Sequence, residues 1–329
     1  MKTVAFFNNK GGVGKTTLVY HLAYMLADRG ETVLLVDLDP QAKLTSMFLN
    51  EDCLESLWPA GEHPDTIFGA LRPISRGVGD VLTPHIEAVM PRLGLIVGDL
   101  ALSTFEDKLS DAWPRSHNRD ESAFRTMSAF YRGVRSAARK FSATWVLIDV
   151  GPNLGAINRA ALIASEYVVI PLGPDLFSLQ ALRNLGPSLR SWRTSWMELL
   201  DKNPDPSLDL PPGRIEPLGY VVMQHGMREN RPPKAYQRWI DRFPAAYREA
   251  VLAENPAGAP PAGTDPYCLA MLKHYRSLMP MAMEARKPVF TLKPADGAIG
   301  AHVEATRNAY DDFLTLARRI AERCGTSLS

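Results

Sequence analysis

Nine residues near the start of the chain, Asn9-Lys10-Gly11-Gly12-Val13-Gly14-Lys15-Thr16-Thr17, limit the fold more than any other stretch. They follow the apolar run Thr3 to Phe7 and precede Leu18, Leu22, Met25 and Leu26, which recur at helical spacing until Gly30. A buried strand, a glycine-rich turn and a helix N-terminus together form an anion cradle. The glycines let backbone N–H groups close around phosphate oxygens, and the helix dipole adds positive potential at the same point. Lys15 is placed to reach the β- and γ-phosphates, and the Thr16 hydroxyl to hold Mg²⁺. Asn9, Gly11, Gly12, Val13, Gly14 and Thr17 complete the cradle. These residues predict a site for a nucleoside triphosphate.

The rest of the chain supports an α/β reading. Thr32 to Asp37 reads as a fully buried strand. Leu93 to Val97, Trp145 to Asp149, Tyr167 to Pro171 and Leu218 to Met223 are further strand candidates, and helical segments separate most of them. That rhythm predicts a doubly wound, mostly parallel sheet with helices on both faces. Residues 1–329 read as one domain. Within it, residues 224–271 read as an expanded helical and loop insertion, with helical, Arg- and aromatic-rich segments from Arg228 to Leu252. The Pro-, Gly- and Asp-rich stretches Asn203 to Arg214 and Asn255 to Pro266 read as surface loops.

Composition excludes several classes. A formal net charge of +1 gives no global attraction to nucleic acid or membrane, so any basic surface must be local. Cys53, Cys268 and Cys324 lie far apart and match no metal or disulfide spacing, which suits a reducing cytoplasm. The histidines, His21, His225, His274 and His302 among them, lack ligand spacing too. No apolar run approaches the roughly 18 residues of a membrane span. The first strand candidate starts at Thr3, so neither a leader nor an N-terminal helix-turn-helix is expected. A cytoplasmic protein is expected, nucleoid-associated if it binds DNA.

The cradle departs from the ordinary P-loop. Asn9 stands where a glycine is usual, and a second lysine, Lys10, enters the loop. A lysine this early points away from its own phosphate and can reach a nucleotide held by a second subunit. With K-G-G-x-G-K-T-T at Lys10 to Thr17, the chain resembles the deviant Walker A ATPases of the ParA/MinD family, and the resemblance runs almost end to end. It implies a homodimer formed on ATP, in which Lys10 crosses to the partner's phosphates.

The resemblance also implies roles for other segments. Asp37-Leu38-Asp39-Pro40-Gln41 is similar to the family's D-x-D-P-Q segment, so Asp39 would orient or deprotonate the attacking water and Asp37 would support the Mg²⁺ shell. Trp145 to Asp149 is similar to a Walker B strand, with Asp149 on Mg²⁺, and Val150 to Asn153 to the switch loop after it. Ile170 to Asp175 resembles the segment beside base and ribose, with Gly173 replacing the commoner glutamine. Met283-Glu284-Ala285 resembles a segment near adenine. The catalytic set is thus Lys10, Lys15 and Asp39, with Asp175 and Glu284 added to the nucleotide contacts.

The family binds non-specific DNA as ATP dimers and responds to a protein that stimulates hydrolysis. Candidate phosphate-binding cations are Arg125, Arg132 and Arg139, spaced seven apart as on one helix face, then Arg190 and Arg193, then Lys234 and Arg238. Asp311, Asp312 and Glu322 on the polar side of the last helix argue against a membrane anchor. Two other outputs stay open: a non-partition regulator that docks a dedicated protein, and an ATP-dependent amidase or synthetase of the same fold. Lys10 argues against the latter.

Overall fold

The computed structural model describes residues 1–225 and 234–328. Eight strands form one sheet: β1 (Lys2–Phe6), β2 (Val33–Asp37), β3 (Glu87–Met90), β4 (Leu93–Ile96), β5 (Trp145–Asp149), β6 (Tyr167–Leu172), β7 (Glu216–His225) and β8 (Cys268–Lys273). Their spatial order is β3-β4-β2-β5-β1-β6-β7-β8. Every neighbouring pair is parallel except β3, which runs antiparallel to β4 at the edge. The doubly wound sheet expected from the sequence is the sheet observed. β3 and β8 are additions to the expected strands.

β1, β2 and β5 are buried on both faces, as continuous apolar runs require when helices cover each side. Alternate residues feed two cores: Ala5 and Phe7 pack on one side, Val4 and Phe6 on the other. The helix Lys15–Asp28 lies on the second side against the last helix, Ala301–Arg323, with His21 stacked on Phe313 at 4.9 Å between ring centroids. That last helix buries Phe313, Ala317 and Ile320 as expected, while Tyr310 and Leu314 are half-buried at its margin.

Register then sets the site. Phe6 pairs with Asp149, and Asp37 pairs with the same Asp149 from the other side. The C-terminal ends of three adjacent strands therefore lie level. At that edge the chain must turn, and open α/β sheets bind their ligands there.

The C-terminal half carries extra helices. Lys234–Ile240 and Phe243–Tyr247 lead into a π-helical turn, Arg248–Leu252, which packs on the long helix Leu176–Leu200. A Cβ at Gly186 would lie 2.0 Å from the Ala250 carbonyl oxygen, so only glycine permits this approach. Arg190 donates to the carbonyls of Ala250 and Val251, satisfying acceptors the irregular turn leaves open. Buried Asp265 ties the lobe to the sheet, accepting from Arg248 at 2.6 Å and from the Tyr220 hydroxyl at 2.8 Å. Arg228, the start of the expected helical stretch, lies outside the described residues.

Candidate functional site

The loop after β1 turns through left-handed backbone at Gly12 (φ 72°) and Gly14 (φ 88°), where a side chain would be strained. Gly14 caps the helix Lys15–Asp28 with no side-chain hydrogen bond, so its first N–H groups stay directed at the loop's interior. Asn8, fully buried, fixes the loop from behind: its Nδ2 donates to the Pro171 carbonyl at 2.6 Å, and its Oδ1 accepts from Lys10 N–H at 2.9 Å. The loop encloses a cavity of about 520 Å³ whose wall also includes Asp39, Lys43 and Pro152.

Lys15 is only 7% exposed. Burial pulls its pKa below the usual lysine range, while Asp149 and Asp39 pull it back up. Thr16 Oγ1 donates to Asp149 Oδ2 at 2.7 Å. The other Asp149 oxygen is buried without a partner. Burial first, and then the neighbouring charge of Asp37, push the Asp149 carboxyl well above the ordinary carboxylate range. A hydroxyl, an unsatisfied buried carboxylate oxygen and surplus negative charge are the donor set a Mg²⁺ ion takes. The residues present fit that ion.

The structure gives Asp37 and Asp39 different positions. Asp39 is 6% exposed, lines the cavity, and accepts from Gln41 N–H at 3.0 Å. Asp37 is wholly buried and spends both oxygens on the chain. Oδ2 accepts from the Thr45 N–H and hydroxyl, each at 2.8 Å, and Oδ1 accepts from Asp39 N–H at 3.3 Å. Its place is behind the loop that carries Asp39, where both its oxygens already have partners within the chain. In the switch loop, Asn153 takes a turn role, accepting from Gly155 N–H at 2.9 Å. Glu106 accepts from the Ala156 and Ile157 N–H groups and so caps the helix Ala156–Ile163 that follows.

Lys10 lies against its own chain. Its ammonium pairs with Asp175 and sits 5.9 Å from the centre of the exposed Phe177 ring. Asp175 also caps the helix Leu176–Leu200, accepting from Ser178 N–H at 2.9 Å. Its carboxylate is thus engaged by Lys10 and by a helix end. Glu284 is exposed on the helix Leu278–Ala285, where the neighbouring Met283 is the residue that lines the phosphate cavity.

The basic candidates divide. Arg125 belongs to the helix Glu121–Met127, which Ser128 separates from Ala129–Lys140, so the evenly spaced triplet is divided between two helices. Arg125 is consumed by Asp80, Glu121 and Asp205, and Arg132 by Asp80 at 2.7 Å. Arg190 caps the π-helical turn, as described. These three all have partners within the chain. Arg139, Arg193 and Arg238 are exposed, the last over the Trp239 ring at 4.5 Å. Lys234 opens the helix Lys234–Ile240. Asn8, Thr45 and Glu106 were not anticipated, since each acts on a partner distant in the chain or through an unremarkable residue type.

Known proteins share this architecture. The family model AAA_31, described as an AAA domain, matches residues 1–201. The chromosome partitioning protein ParA of Caulobacter vibrioides is 29% identical over 257 residues, which are 78% of this chain and 81% of that protein. Protein DIP2308 from Corynebacterium diphtheriae is similar in structure, with a TM-score of 0.73 at 23% identity over 98% of this chain and 99% of that one. McdA of Cyanothece in its ATP complex gives a TM-score of 0.66 at 16% identity, over 99% and 97%. Fold and site define a P-loop nucleotide-binding protein whose glycine-rich loop carries an extra lysine. The chain belongs to the AAA_31 family, among its ParA/MinD-like members.

Among the described residues no helix is long and apolar enough to cross a membrane.

Proposed function

We propose that this chain is an ATP-hydrolysing switch of the ParA type that dimerises on ATP, associates with non-specific DNA as the dimer, and acts in segregating DNA or positioning another cargo. The observation that carries the ATPase reading is the convergence of Lys15, Thr16 and Asp39 on one cavity at the level ends of β1, β2 and β5, with Asp149 bonded to Thr16 directly behind it. Lys15 and the loop N–H groups bind the phosphates. Thr16 and Asp149 would hold Mg²⁺, which would supply neutralisation of the phosphates' negative charge. Asp39 orients the attacking water and receives its proton. Asp37 keeps Asp39 in place through its N–H. Lys10 serves a partner's nucleotide once it leaves Asp175. A protein partner accelerates turnover, and the chain works in the cytoplasm, on the nucleoid where DNA is bound.

The test is ATP turnover without any small acceptor substrate, with dimerisation followed by sedimentation in ATP and in ADP. Turnover and ATP-dependent dimers that both fail in Lys15→Ala, and dimers that fail in Lys10→Ala, support the switch. Turnover that demands a carboxylate substrate would replace it with a synthetase. A second reading, in which the dimer docks a protein rather than DNA, gains from one observation: Arg125, Arg132 and Arg190 are spent inside the molecule. Absence of ATP-dependent binding to duplex DNA at low salt would favour it.

A further inference from the structure

The switch loop after β5 has little of its own to hold it. Among the described residues, no backbone-to-backbone hydrogen bond involves Gly151, Pro152, Asn153 or Leu154. Pro152, Asn153 and Leu154 are exposed. Asn158 supplies the restraint, from the first turn of the helix Ala156–Ile163 that follows. It is 1% exposed, and its Nδ2 donates to the Gly151 carbonyl at 2.8 Å, to the Asn153 carbonyl at 2.7 Å and to Asn153 Oδ1 at 3.0 Å. Two of these oxygens belong to backbone carbonyls, which only accept, so the amide nitrogen must face them. Asn153 is oriented in the same way, because its Oδ1 also accepts from Gly155 N–H. Glu106 seats the helix itself through the N–H groups of Ala156 and Ile157.

The loop so held walls two parts of the site. Pro152 lines the phosphate cavity and stands against the glycine-rich loop, where a Cβ on Gly11 would lie 4.0 Å from the Pro152 ring. Gly151 lies against Asp39, so that a Cβ there would be 3.4 Å from Asp39 Oδ1. We infer that Asn158 is a positioning residue for hydrolysis, holding Gly151 to Asn153 against Asp39 and so fixing where the attacking water stands. This rests on the ATPase reading above and adds to it a residue outside the cavity wall. The phosphates are gripped by the glycine-rich loop, which Asn158 does not touch, so its effect falls on the chemical step and not on binding. Without it the two carbonyls turn to solvent, and Asp39 keeps its bond from Gln41 N–H but loses one wall. A displacement of about 1 Å in such a wall can cost a reaction on the order of a hundredfold.

The test compares the unaltered chain with Asn158→Ala in ATP turnover and in affinity for two Mg²⁺ complexes. One is a non-hydrolysable ATP analogue; the other is ADP with fluoroaluminate, which imitates the phosphoryl group in transit. Asn158→Ala should keep its affinity for the analogue within about twofold. It should lower kcat and fluoroaluminate affinity together, by about tenfold or more. A residue that only packs would lower the melting temperature and leave the ratio of the two affinities unchanged. That result, or a kcat within about twofold of the parent, would overturn the inference. Glu106→Gln keeps the volume of a half-buried side chain and weakens the seat of the same helix, so it serves should Asn158→Ala not fold. It should shift the ratio the same way by a smaller factor, and an unchanged ratio there is equally fatal. An unaltered chain that binds the analogue but neither turns over ATP nor takes fluoroaluminate would defeat the ATPase reading itself, so the two failures are separable.

Discussion

Asp149 is a carboxylate the fold has buried beside Asp37 with one oxygen unmet, and its ionisation has a predictable sign. Its folded pKa is raised by burial and by Asp37, so between the ordinary carboxylate value and the raised one the folded chain binds the extra proton. Stability of the metal-free protein must then fall as pH rises out of the carboxylate range toward neutrality. Asp149→Asn should raise the metal-free melting temperature by an amount that grows from about pH 4 to 8, while abolishing the further rise given by Mg²⁺ with ATP. Thermal denaturation with and without chelator reads both, and a variant less stable than the parent at pH 8 would contradict the assignment. Lys10 offers a second prediction at this scale. Asp175→Asn releases its ammonium, so dimers should form at severalfold lower ATP than in the parent. The contact is partly exposed, which keeps the effect modest. Sedimentation across an ATP series would show it, and an unchanged midpoint would mean the pair does not compete with assembly.

Elements explain both what the sequence disclosed and what it hid. Lys15, Thr16, Gly12 and Gly14 were legible because strand, loop and helix lie within one continuous stretch, and Asp149 because an apolar strand ends on it. Thr45, Asn8 and Glu106 were not, because their partners stand 8, 163 and 50 residues away and only the folded sheet brings them together. β3 was missed because an edge strand of four residues, half of them exposed, carries too little pattern. The helix boundary at Ser128 was missed because three arginines at a seven-residue spacing read as one continuous helix. There the Ser128 hydroxyl bonds back to the Phe124 carbonyl at 2.7 Å, a contact that bends helices locally. Glu106 gives the element-scale prediction. Glu106→Ala uncaps the helix behind the switch loop and should cost about 1 kcal/mol. Hydrogen exchange should quicken at Ala156 and Ile157 before it does in β5; protection that drops everywhere alike would argue for a different role.

Charge is organised across the whole molecule. With a net charge of +1, the chain commits much of its arginine to internal pairs, and Asp80 pairs with both Arg125 and Arg132. Arg125→Ala should therefore lower the melting temperature and leave DNA affinity within about twofold. Joint substitution of the exposed Arg139, Arg193 and Arg238 should instead flatten the dependence of DNA affinity on log salt by about 2–3 units, near 0.9 for each phosphate no longer neutralised. An Arg125 variant that loses DNA and keeps its stability would reverse that division. The paired burial of Asp37 and Asp149 has one more consequence, in the economy of a cell. A chain without nucleotide and cation is the least stable form of the molecule, and whatever opens most often is degraded first. When nucleotide runs short, such chains should vanish soonest, so the amount of this protein would follow the energy supply with no regulator to report it.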